Sequence, residues 1–459
     1  MPLVDLRDML RHARAHGYAV GAYGAVGSNF VAAIVAGALL LVALAWWLDP
    51  GMTRGAAARE LLGAWRPLVA WPALAMAATV AVSTAWRVAL WLGYRPVPSM
   101  PADAPDLPDI TVVIPAYNEG AAVRWAIRSV LASDYPPARM RLVVVDDGST
   151  DDTWAHVQAA TAGEPRAEAV RLDRNRGKRH ALYAGFARVR TPVVVTVDSD
   201  TELPRDTLRA LVAPLARDPD VGAVAGRIEA RNRTDNVLTR MLAVRYRIGF
   251  DFVRAYQSRL RSVFVCPGAL TAYRMAAIAG HLEAWRDQRF LGAACANGDD
   301  HALTNHLLSK GMATVYQGSA VARTTVPNTY RRLSLMYLRW ARSNVRESLR
   351  YLAFVPRLGR RPARWPAIAD AMVRFVQIPL RLWLLAFGVV LIATHPGILV
   401  RSAAVAVAFS LFHVAVFLRS ERSWDAVYAV LYALFSLLTL QWVAPWAAVT
   451  VRRARWLTR

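Results

Sequence analysis

The chain has 459 residues, 55% of them hydrophobic, and a formal net charge of +23. This length allows two or three structural units, and several long apolar stretches with almost no acidic residues predict that one unit lies in lipid. The arginines are spread over loops and helix ends, so the charge indicates anionic lipid as a partner and argues against nucleic acid. Cys266 and Cys295 are too few for a disulfide framework and lack the spacing of a zinc site.

Residues 1–95 are predicted to form an N-terminal membrane region. The run 30–48 carries no charge and is long enough to cross a bilayer core, which takes about 20 helical residues. A second span is expected at 67–86, followed by an aromatic and basic stretch that is typical of the headgroup layer. The segment 96–108 is rich in proline, which cannot continue a helix, so we expect a linker there.

Residues 109–326 are predicted to form a soluble domain on the cytosolic side of the membrane. Short β-branched runs such as ITVVIP, RLVVVDD and VVVTVDSD alternate here with amphipathic stretches. This alternation is typical of an α/β fold with a mostly parallel sheet and helices on its faces. Ligands of such folds bind at the carboxyl ends of the strands, and polar residues follow these strands.

Residues 327–459 are predicted to return the chain to the membrane. A basic, aromatic and apolar helix at the start of this region is typical of a membrane surface, and spans are expected at 375–394 and 398–418. A further crossing at 425–450 would put the basic tail outside the cell, against the positive-inside tendency. We therefore expect 425–450 to be interfacial or re-entrant and the tail to be cytosolic.

Two carboxylates, Asp198 and Asp200, follow the strand VVVTV. Mg²⁺ and Mn²⁺ take oxygen ligands and are commonly held by one or two carboxylates plus phosphate oxygens. The pair is therefore a candidate site for a metal-bound diphosphate. The alternative is a solvated strand end or a helix cap, which is the commoner meaning of an isolated D-x-D.

Two further segments are candidates for nucleotide binding. Asp146 and Asp147 follow the strand RLVVV, and they either form the tight turn that comes next or hydrogen-bond the base or ribose of a nucleotide. The segment from Asn175 to Arg179 opens a helix, where backbone amides and Lys178 suit an anionic phosphate. A basic helix start is also common without any ligand.

Asp299 and Asp300 begin a helix late in the soluble domain. Adjacent acids at such a position often serve the helix macrodipole. The functional alternative is a general base, because sugar transfer to a hydroxyl needs a carboxylate within hydrogen-bond reach of the acceptor oxygen. Arg339 and Trp340, on the predicted interfacial helix, either anchor at headgroups or face the sheet, where they suit a diphosphate and a sugar ring.

Together these motifs resemble the family 2 inverting glycosyltransferases, and within them the processive membrane synthases of hyaluronan, chitooligosaccharide and cellulose. The similarity covers Ile110 to Phe354 and implies a GT-A-type domain, a mostly parallel nucleotide-diphospho-sugar transferase fold between transmembrane and interfacial helices. It also implies a UDP-sugar donor, Mg²⁺ or Mn²⁺ as cofactor, and Asp300 as catalytic base. It places the donor at Pro115, Tyr117, Glu119, Asp146, Asp147, Lys178, Asp198 and Arg339, and the metal at Asp198 and Asp200.

The acceptor side of the resemblance contains matches and departures. The family's Q-x-x-R-W signature has Met336 in place of the glutamine, which bears on processivity or acceptor choice. The resemblance implies acceptor contacts from Cys266, Arg274, Asp299 and Trp340. The tail is similar to the gating segment that relatives place after their last interfacial helix, and we expect it to close over bound nucleotide. Its residues are Trp456, Thr458 and Arg459.

The resemblance favours a hyaluronan synthase-like enzyme that adds sugar with inversion to a β-linked polysaccharide and exports the polymer. The stretch GDDHALTNHLLSKG is especially similar to hyaluronan synthases, whereas RWARSNVRESL is similar to chitooligosaccharide synthases. The alternative is therefore an N-acetylglucosaminyl synthase. Non-processive transfer to a lipid-linked acceptor is a further alternative, and a non-catalytic membrane protein is the rival from another class.

Overall fold

The computed structural model describes residues 66–358, 364–394 and 397–453. The predicted span 30–48 and the tail residues Trp456, Thr458 and Arg459 lie outside these ranges. The chain divides into two compact units. The helical unit comprises the described residues up to Val82, 234–248 and 375–441, and the sheet unit comprises 83–233, 249–374 and the described residues from Trp442 onward.

A seven-stranded sheet forms the centre of the sheet unit. The strands of the described residues are β1 Ile110–Ala116, β2 Met140–Asp146, β3 Ala167–Arg171, β4 Val193–Val197, β5 Val221–Ala230, β6 Leu270–Arg274, β7 Arg289–Phe290, β8 Ala293–Ala294 and β9 Ala313–Thr324. Across the sheet their order is β3-β2-β1-β4-β6-β5-β9, and β7 pairs with β8 in a separate hairpin.

The prediction of a mostly parallel sheet is confirmed. Strands β1 to β4 run in one direction, β6 runs antiparallel to both β4 and β5, and β9 runs parallel to β5. Every residue of β1 and β4 is buried, which is why both strands are mostly apolar, with one threonine each, and do not alternate between apolar and polar residues. Because β1, β2 and β4 are parallel, the residues that follow them meet at one edge of the sheet.

Helices connect the strands and pack on them. In α2 the buried residues recur at helical spacing, so one face of the helix is apolar. The helices of the described residues are α1 Arg66–Leu92, α2 Val123–Leu131, α3 Thr153–Thr161, α4 Lys178–Phe186, α5 Thr207–Arg217, α6 Val237–Ile248, α7 Ala255–Arg259, α8 Met275–Ile278, α9 Leu282–Arg286, α10 Asp299–Ser309, α11 Tyr330–Leu358, α12 Trp365–Thr394, α13 Gly397–Ser420, α14 Val427–Thr439 and α15 Val443–Val449.

Three helical stretches within the described ranges are long and apolar enough to cross a membrane. They are Leu74–Leu92, Trp365–Val389 and Ser402–Ser420. A fourth crossing results if Trp424–Thr439 and Val443–Val449, which are separated by a short break, count as one broken span. The broken helix fits the expectation for 425–450, although the number of crossings stays a prediction.

Helix α12 begins at Trp365, earlier than the predicted span at 375–394. The extra residues include Asp370, which is 3% exposed. Its carboxylate pairs with Arg87 at 2.7 Å and with Arg374 at 3.1 Å. Because these cations neutralise the buried acid, the helix extends through a charged segment where hydropathy alone predicts its end.

Helix α6 departs from the predicted domain boundaries. It lies within 109–326 in sequence, yet it belongs to the helical unit and packs against α13 and α14. Arg247 pairs with Glu421 at 3.0 Å, and Arg240 pairs with Asp425 at 3.7 Å. The arginines of α6 therefore meet acids of the helical unit, which a sequence interpretation based on hydropathy does not reveal.

Candidate active site

The predicted donor residues after β1 lie beside the acids that follow β2. Pro115 is buried in β1 opposite Val145, and Tyr117 follows the strand with its side chain partly buried. Glu119 accepts a hydrogen bond from the hydroxyl of Ser199 at 2.7 Å. Because Ser199 follows β4, this bond joins the ends of two adjacent strands at the edge where the ligand is expected.

Asp146 forms the tight turn after β2 that is one of the two predicted alternatives. Its side chain is 0% exposed. One carboxylate oxygen accepts hydrogen bonds from the amide and the hydroxyl of Ser149, and the other lies 3.3 Å from the guanidinium of Arg171. The structure thus holds Asp146 as a buried carboxylate with a basic side chain next to it.

Asp147 fixes the segment that leads into α4. Its two oxygens accept hydrogen bonds from the amides of Arg176 at 2.9 Å and Gly177 at 2.7 Å. Burial raises the pKa of Asp147, and the two amides partly oppose that effect. Gly148 is required between the two loops, because its φ is +67° and a Cβ there would lie 2.5 Å from the backbone of Arg174. The predicted phosphate-facing segment is therefore positioned by the acid after β2.

Lys178 is the first residue of α4 and forms an ion pair with Asp198 after β4. A Cβ on Gly268 would lie 3.1 Å from Nζ of Lys178 and 3.8 Å from a carboxylate oxygen of Asp299, so these groups are neighbours. Burial favours the neutral amine, but nearby carboxylates outweigh it and raise the pKa of Lys178. These carboxylates are Asp198, Asp299 and Asp300. The lysine is a cation surrounded by acids from two different loops.

The predicted metal pair follows β4 directly. The side chain of Asp198 is 31% exposed, and the carboxylate of Asp200 accepts a hydrogen bond from the hydroxyl of Thr324 at 3.1 Å. Among the residues that the structure describes, no three or more His, Cys, Asp or Glu side chains gather in a way that could hold a metal ion. Two carboxylates alone fit Mg²⁺ or Mn²⁺ that takes its remaining ligands from phosphates and water.

Asp300 lies in the first turn of α10, close to Lys178. Its oxygens accept hydrogen bonds from the amides of Gly268 at 3.1 Å and His301 at 2.8 Å. Burial raises the pKa of Asp300, and the negative charge of Asp299 raises it further. The cation of Lys178 acts in the opposite direction, and the pKa is about 6. A carboxylate with a pKa close to neutral pH is well matched to proton transfer, so Asp300 suits the general-base alternative, which stays a prediction.

Helix α11 packs on the turn that carries Asp300. Gly298 has φ +74°, and a Cβ there would overlap the hydroxyl of Ser343. Arg339 precedes Ser343 by one helical turn, so both residues share the face that meets this turn. Trp340 is 42% exposed, with its indole 5.6 Å from the ring of Tyr337. By this spacing Arg339 lies on the face of α11 that packs on the turn before Asp300, and its role at the diphosphate stays a prediction.

Two residues of the predicted acceptor site need correction. Cys266 is 0% exposed, and its amide donates a hydrogen bond to Thr304 at 3.2 Å. Burial raises the pKa of its thiol to about 12, so the sulfur is protonated and inaccessible. The residue therefore supports the loop that carries Gly268 and does not offer its side chain to an acceptor sugar.

Arg274 is the second correction. It pairs with Val193 at the start of β4, five residues before Asp198, which corresponds to roughly 16 Å along the strand. Its guanidinium donates hydrogen bonds to the carbonyls of Leu215 at 2.9 Å and Val221 at 3.1 Å. Arg274 therefore stabilises the edge of the sheet opposite the site. The resemblance placed it in the acceptor site, but Arg274 lies beside the start of β4 and Asp198 follows the other end of that strand.

A basic groove lies beside the acids after β2. One part has a volume of ≈ 470 Å³, and an adjoining part of ≈ 320 Å³ extends to His180, Tyr183 and Arg286. The first part is lined by Arg171, Leu172, Asp173, Arg174 and Arg176. Since Arg171 pairs with Asp146, the positive lining continues the predicted nucleotide end of the site.

The sequence analysis missed several residues that build this site. The amide of Gly268 belongs to no recognisable motif, and Ser199 is only the variable middle residue of the D-x-D, yet both act on residues distant in sequence. The buried side chains of Arg346 and Glu347 also escaped notice. Their signal is the spacing of Ser343, Arg346 and Glu347 on one face of α11, which hydropathy treats as a solvated face.

The architecture has a counterpart among solved structures. The mannosyltransferase PcManGT from Pyrobaculum calidifontis, in complex with GDP-Man and Mn²⁺, matches with a TM-score of 0.56 and 22% identity, over 82% of this chain and 99% of that chain. The likeness shows the fold: a GT-A domain with a mostly parallel sheet, flanked in sequence by helices that could cross a membrane. The chain therefore has a GT-A fold.

The sequence comparisons define the family. The model described as "Glycosyl transferase family 2" matches residues 111–281. An N-acetylglucosaminyltransferase of Azorhizobium caulinodans is 31% identical over 392 residues, which cover 84% of this chain and 97% of that relative. The chain belongs to glycosyltransferase family 2.

Other relatives match over a shorter range. An N-acetylglucosaminyltransferase of Mesorhizobium japonicum is 36% identical over 293 residues, 61% of this chain and 68% of that protein. One of Rhizobium sp. is 36% identical over 254 residues, 55% of this chain and 56% of that protein. The chain thus matches about half the length of the last relative.

Proposed function

We propose that this protein is a membrane-bound, inverting N-acetylglucosaminyltransferase that builds a β-linked oligomer from UDP-GlcNAc. The observation that carries the proposal is the convergence of Lys178, Asp198 and Asp300 at one edge of the sheet. Three relatives that bear the name N-acetylglucosaminyltransferase support the choice of sugar. They favour the chitooligosaccharide synthase-like alternative over the hyaluronan synthase-like interpretation that the sequence first suggested.

The reaction is a single displacement. The acceptor hydroxyl attacks the anomeric carbon of the donor, Asp300 takes the hydroxyl proton, and the bond between the anomeric carbon and the diphosphate oxygen breaks. UDP leaves with the electron pair, so an α-linked donor gives a β-linked product. Lys178, which is held at the phosphate-facing start of α4, stabilises the negative charge that develops on the leaving group. Arg339, on the α11 face that meets the Asp300 turn, is placed to add a second cation.

A divalent cation, Mg²⁺ or Mn²⁺, fits the acids after β4. Asp198 and Asp200 would hold it together with oxygens of the diphosphate, as hard cations are usually held at phosphate sites. When bound, such an ion neutralises the charge of the leaving diphosphate. Asp198 would then contact both donor and cation, and Lys178, which pairs with Asp198, would lie beside the phosphates.

The loops that the buried acids after β2 hold, together with the basic groove, would bind the rest of the nucleotide. Asp146 and Asp147 would position these loops for the base and ribose, with Pro115, Tyr117 and Glu119 beside them. Trp340 suits the acceptor, because an exposed indole gives a sugar ring an apolar surface. Asp299 is 7% exposed and neighbours Lys178, so its carboxylate would help to orient the Lys178 ammonium beside the catalytic base.

The proposed location is an integral membrane protein with a cytosolic catalytic domain. The apolar helices support membrane insertion, and export of the growing chain would need a polar path that the helices enclose. The tail residues Trp456, Thr458 and Arg459 are proposed to close over bound nucleotide. Deletion of residues 455–459 then lowers turnover, whereas unchanged turnover contradicts the gating role.

The first experiment measures radiolabelled sugar incorporation by the purified full-length chain in lipid vesicles with Mg²⁺ or Mn²⁺. We expect oligomers from UDP-GlcNAc alone, and no product from Asp300→Asn. Asp218→Asn is the matched control, because Asp218 pairs with Arg261 at 2.6 Å close to the opposite edge of the sheet. This variant should keep activity.

The product distinguishes the alternatives. A long product that forms only with UDP-GlcNAc and UDP-GlcA together would replace the proposal with a hyaluronan-type synthase. A single sugar added to a lipid-linked acceptor would indicate a non-processive transferase, for which Met336 in the acceptor signature is the supporting observation. Absence of transfer from either donor, with divalent cation present, would contradict the choice of sugar.

A further inference from the structure

A buried polar network lies next to the turn that carries Asp300. Glu347 on α11 is 0% exposed, and one of its oxygens accepts hydrogen bonds from Gln288 at 2.8 Å and Arg346 at 3.0 Å. Its other oxygen accepts a hydrogen bond from Asn305 at 3.2 Å. The carboxylate of Glu347 therefore connects α11 to α10 and to the residue that precedes β7.

Two arginines of this network converge on one carbonyl group. Arg346 donates a hydrogen bond to the carbonyl oxygen of Asn297, and Arg179 donates to the same oxygen at 3.4 Å. Arg179 is itself held by the side-chain oxygen of Gln288 and by the carbonyl of Trp285. Asn297 precedes the glycine turn that leads into α10, so its carbonyl determines where the helix begins.

The network is costly to disrupt because its members are buried. Arg179, Arg346 and Asn297 are 3%, 4% and 4% exposed. Burial favours the neutral acid of Glu347, but nearby cations, Arg346 among them, lower its pKa below the ordinary value. A buried cation that loses its carboxylate partner is strongly destabilised, so both arginines depend on the charge of Glu347 and on the amide of Gln288.

We infer that Glu347 and Gln288 are positioning residues for the catalytic base. They hold the two arginines on the Asn297 carbonyl, and the turn that follows holds the carboxylate of Asp300 beside Lys178. Neither residue touches substrate in this scheme. The inference rests on the proposed role of Asp300. It explains how side chains of α11 fix the position of the catalytic base.

Glu347→Gln tests the inference most directly, because it preserves shape and removes the charge. Misplacement of a reacting group by about 1 Å costs on the order of 10²-fold in rate, so we expect kcat to fall at least tenfold. The KM for donor should stay near the wild-type value, since the acids after β2 lie outside the network. Calorimetry of UDP binding should still give one site per chain. A loss of binding sites in proportion to kcat would instead indicate unfolding and overturn a positioning role.

A charge swap supplies the rescue. Gln288→Glu alone adds a second buried carboxylate next to Glu347 and should also lower kcat. Combined with Glu347→Gln, it restores one carboxylate and one amide between the two arginines, so the double variant should recover most of the lost kcat. Additive losses would mean that the two residues act independently, and the inference would be wrong.

Arg346→Lys is the second variant, for the case in which Glu347→Gln does not fold. Lysine keeps the charge beside Glu347 but lacks the second nitrogen that reaches the Asn297 carbonyl. We expect a lower kcat with unchanged UDP stoichiometry. Asp218→Asn, which removes an arginine partner close to the opposite edge of the sheet, should leave kcat unchanged.

Amide hydrogen exchange separates this inference from the proposed function. Peptides that cover 297–304 should exchange faster in Glu347→Gln than in wild type, while peptides that cover 142–149 should not change. This measurement needs no substrate, so it decides the positioning role even if UDP-GlcNAc proves to be the wrong donor. Unchanged exchange at 297–304 would overturn the inference and leave the proposed function intact.

Discussion

The donor end and the base end of the site are built in different ways. At the donor end, Asp146 and Asp147 hold loops that lie close in sequence, at separations of 3 and 29 residues. At the base end, the turn before Asp300 is held across 49 residues by Arg346 and across 118 residues by Arg179. The contacts of the acids after β2 are local and follow a strand end, whereas the base end depends on the packing of α11 against α10.

This difference predicts two kinds of failure. Substitutions at the donor end should weaken donor binding, because the acids after β2 hold the loops that meet the nucleotide. Substitutions at the base end should lower kcat with little effect on donor binding, because the base acts in the transition state. The variants below test whether the two ends are separable to this extent.

Asp300→Asn should have the largest effect. Asparagine keeps the hydrogen bond from the Gly268 amide but cannot accept the acceptor proton. General base catalysis contributes roughly 10²- to 10⁴-fold, so kcat should fall by about 10³-fold while UDP binding changes by less than about threefold. Steady-state kinetics and calorimetry measure the two quantities. Retention of transfer activity would show that another group is the base.

Lys178→Gln comes next. The cation starts α4 and pairs with Asp198, so its loss removes stabilisation of the leaving diphosphate. Removal of one such group costs roughly 10²- to 10³-fold in kcat. Because Lys178 lies between the two ends, donor KM should also rise, which distinguishes this variant from Asp300→Asn. A change in kcat without any change in donor KM would show that Lys178 acts only at the base end of the site.

The same comparison shows what the sequence reveals. The parallel sheet and the acids after β2 and β4 could be predicted because apolar runs end in polar residues at fixed positions along the chain. The Gly268 amide could not, since it reaches Asp300 through tertiary packing that has no local pattern. The spacing of Arg346 along α11 indicates a buried face, but it does not show that the guanidinium reaches the turn before Asp300. Helix α6 is a third case, because its basic residues gave no sign that they pair with acids of the helical unit.

Asp147→Asn should affect the donor end specifically. The carboxylate of Asp147 accepts two amide hydrogen bonds, and hydrogen bonds to charged groups contribute about 1.5–3 kcal/mol. We expect the KM for donor to rise roughly tenfold or more, with kcat near the wild-type value. Titration of donor at saturating acceptor measures this effect. A matching fall in kcat would show that the two ends are coupled through the segment before α4.

The pH dependence should report the base end. Asp300 accepts a proton in its ionised form, and its pKa is raised to about 6. As pH falls through this value the protonated form accumulates, so kcat/KM should drop by about tenfold for each pH unit below it. This quantity should be constant above this range until another group titrates. A profile of kcat/KM with no acid limb between about pH 5 and 7 would contradict the assignment.

Arg274→Ala should have the smallest effect on activity, and it tests the correction made to the acceptor site. The resemblance implies an acceptor contact, whereas the structure gives Arg274 hydrogen bonds to backbone carbonyls at the edge opposite Asp198. Its loss leaves buried carbonyls without donors, which costs about 1–3 kcal/mol of the free energy of unfolding. Denaturation should show this loss, while kcat and acceptor KM per folded molecule stay unchanged. A raised acceptor KM with normal stability would instead return Arg274 to the acceptor site and mean that the sheet edge opposite the base also meets the sugar chain.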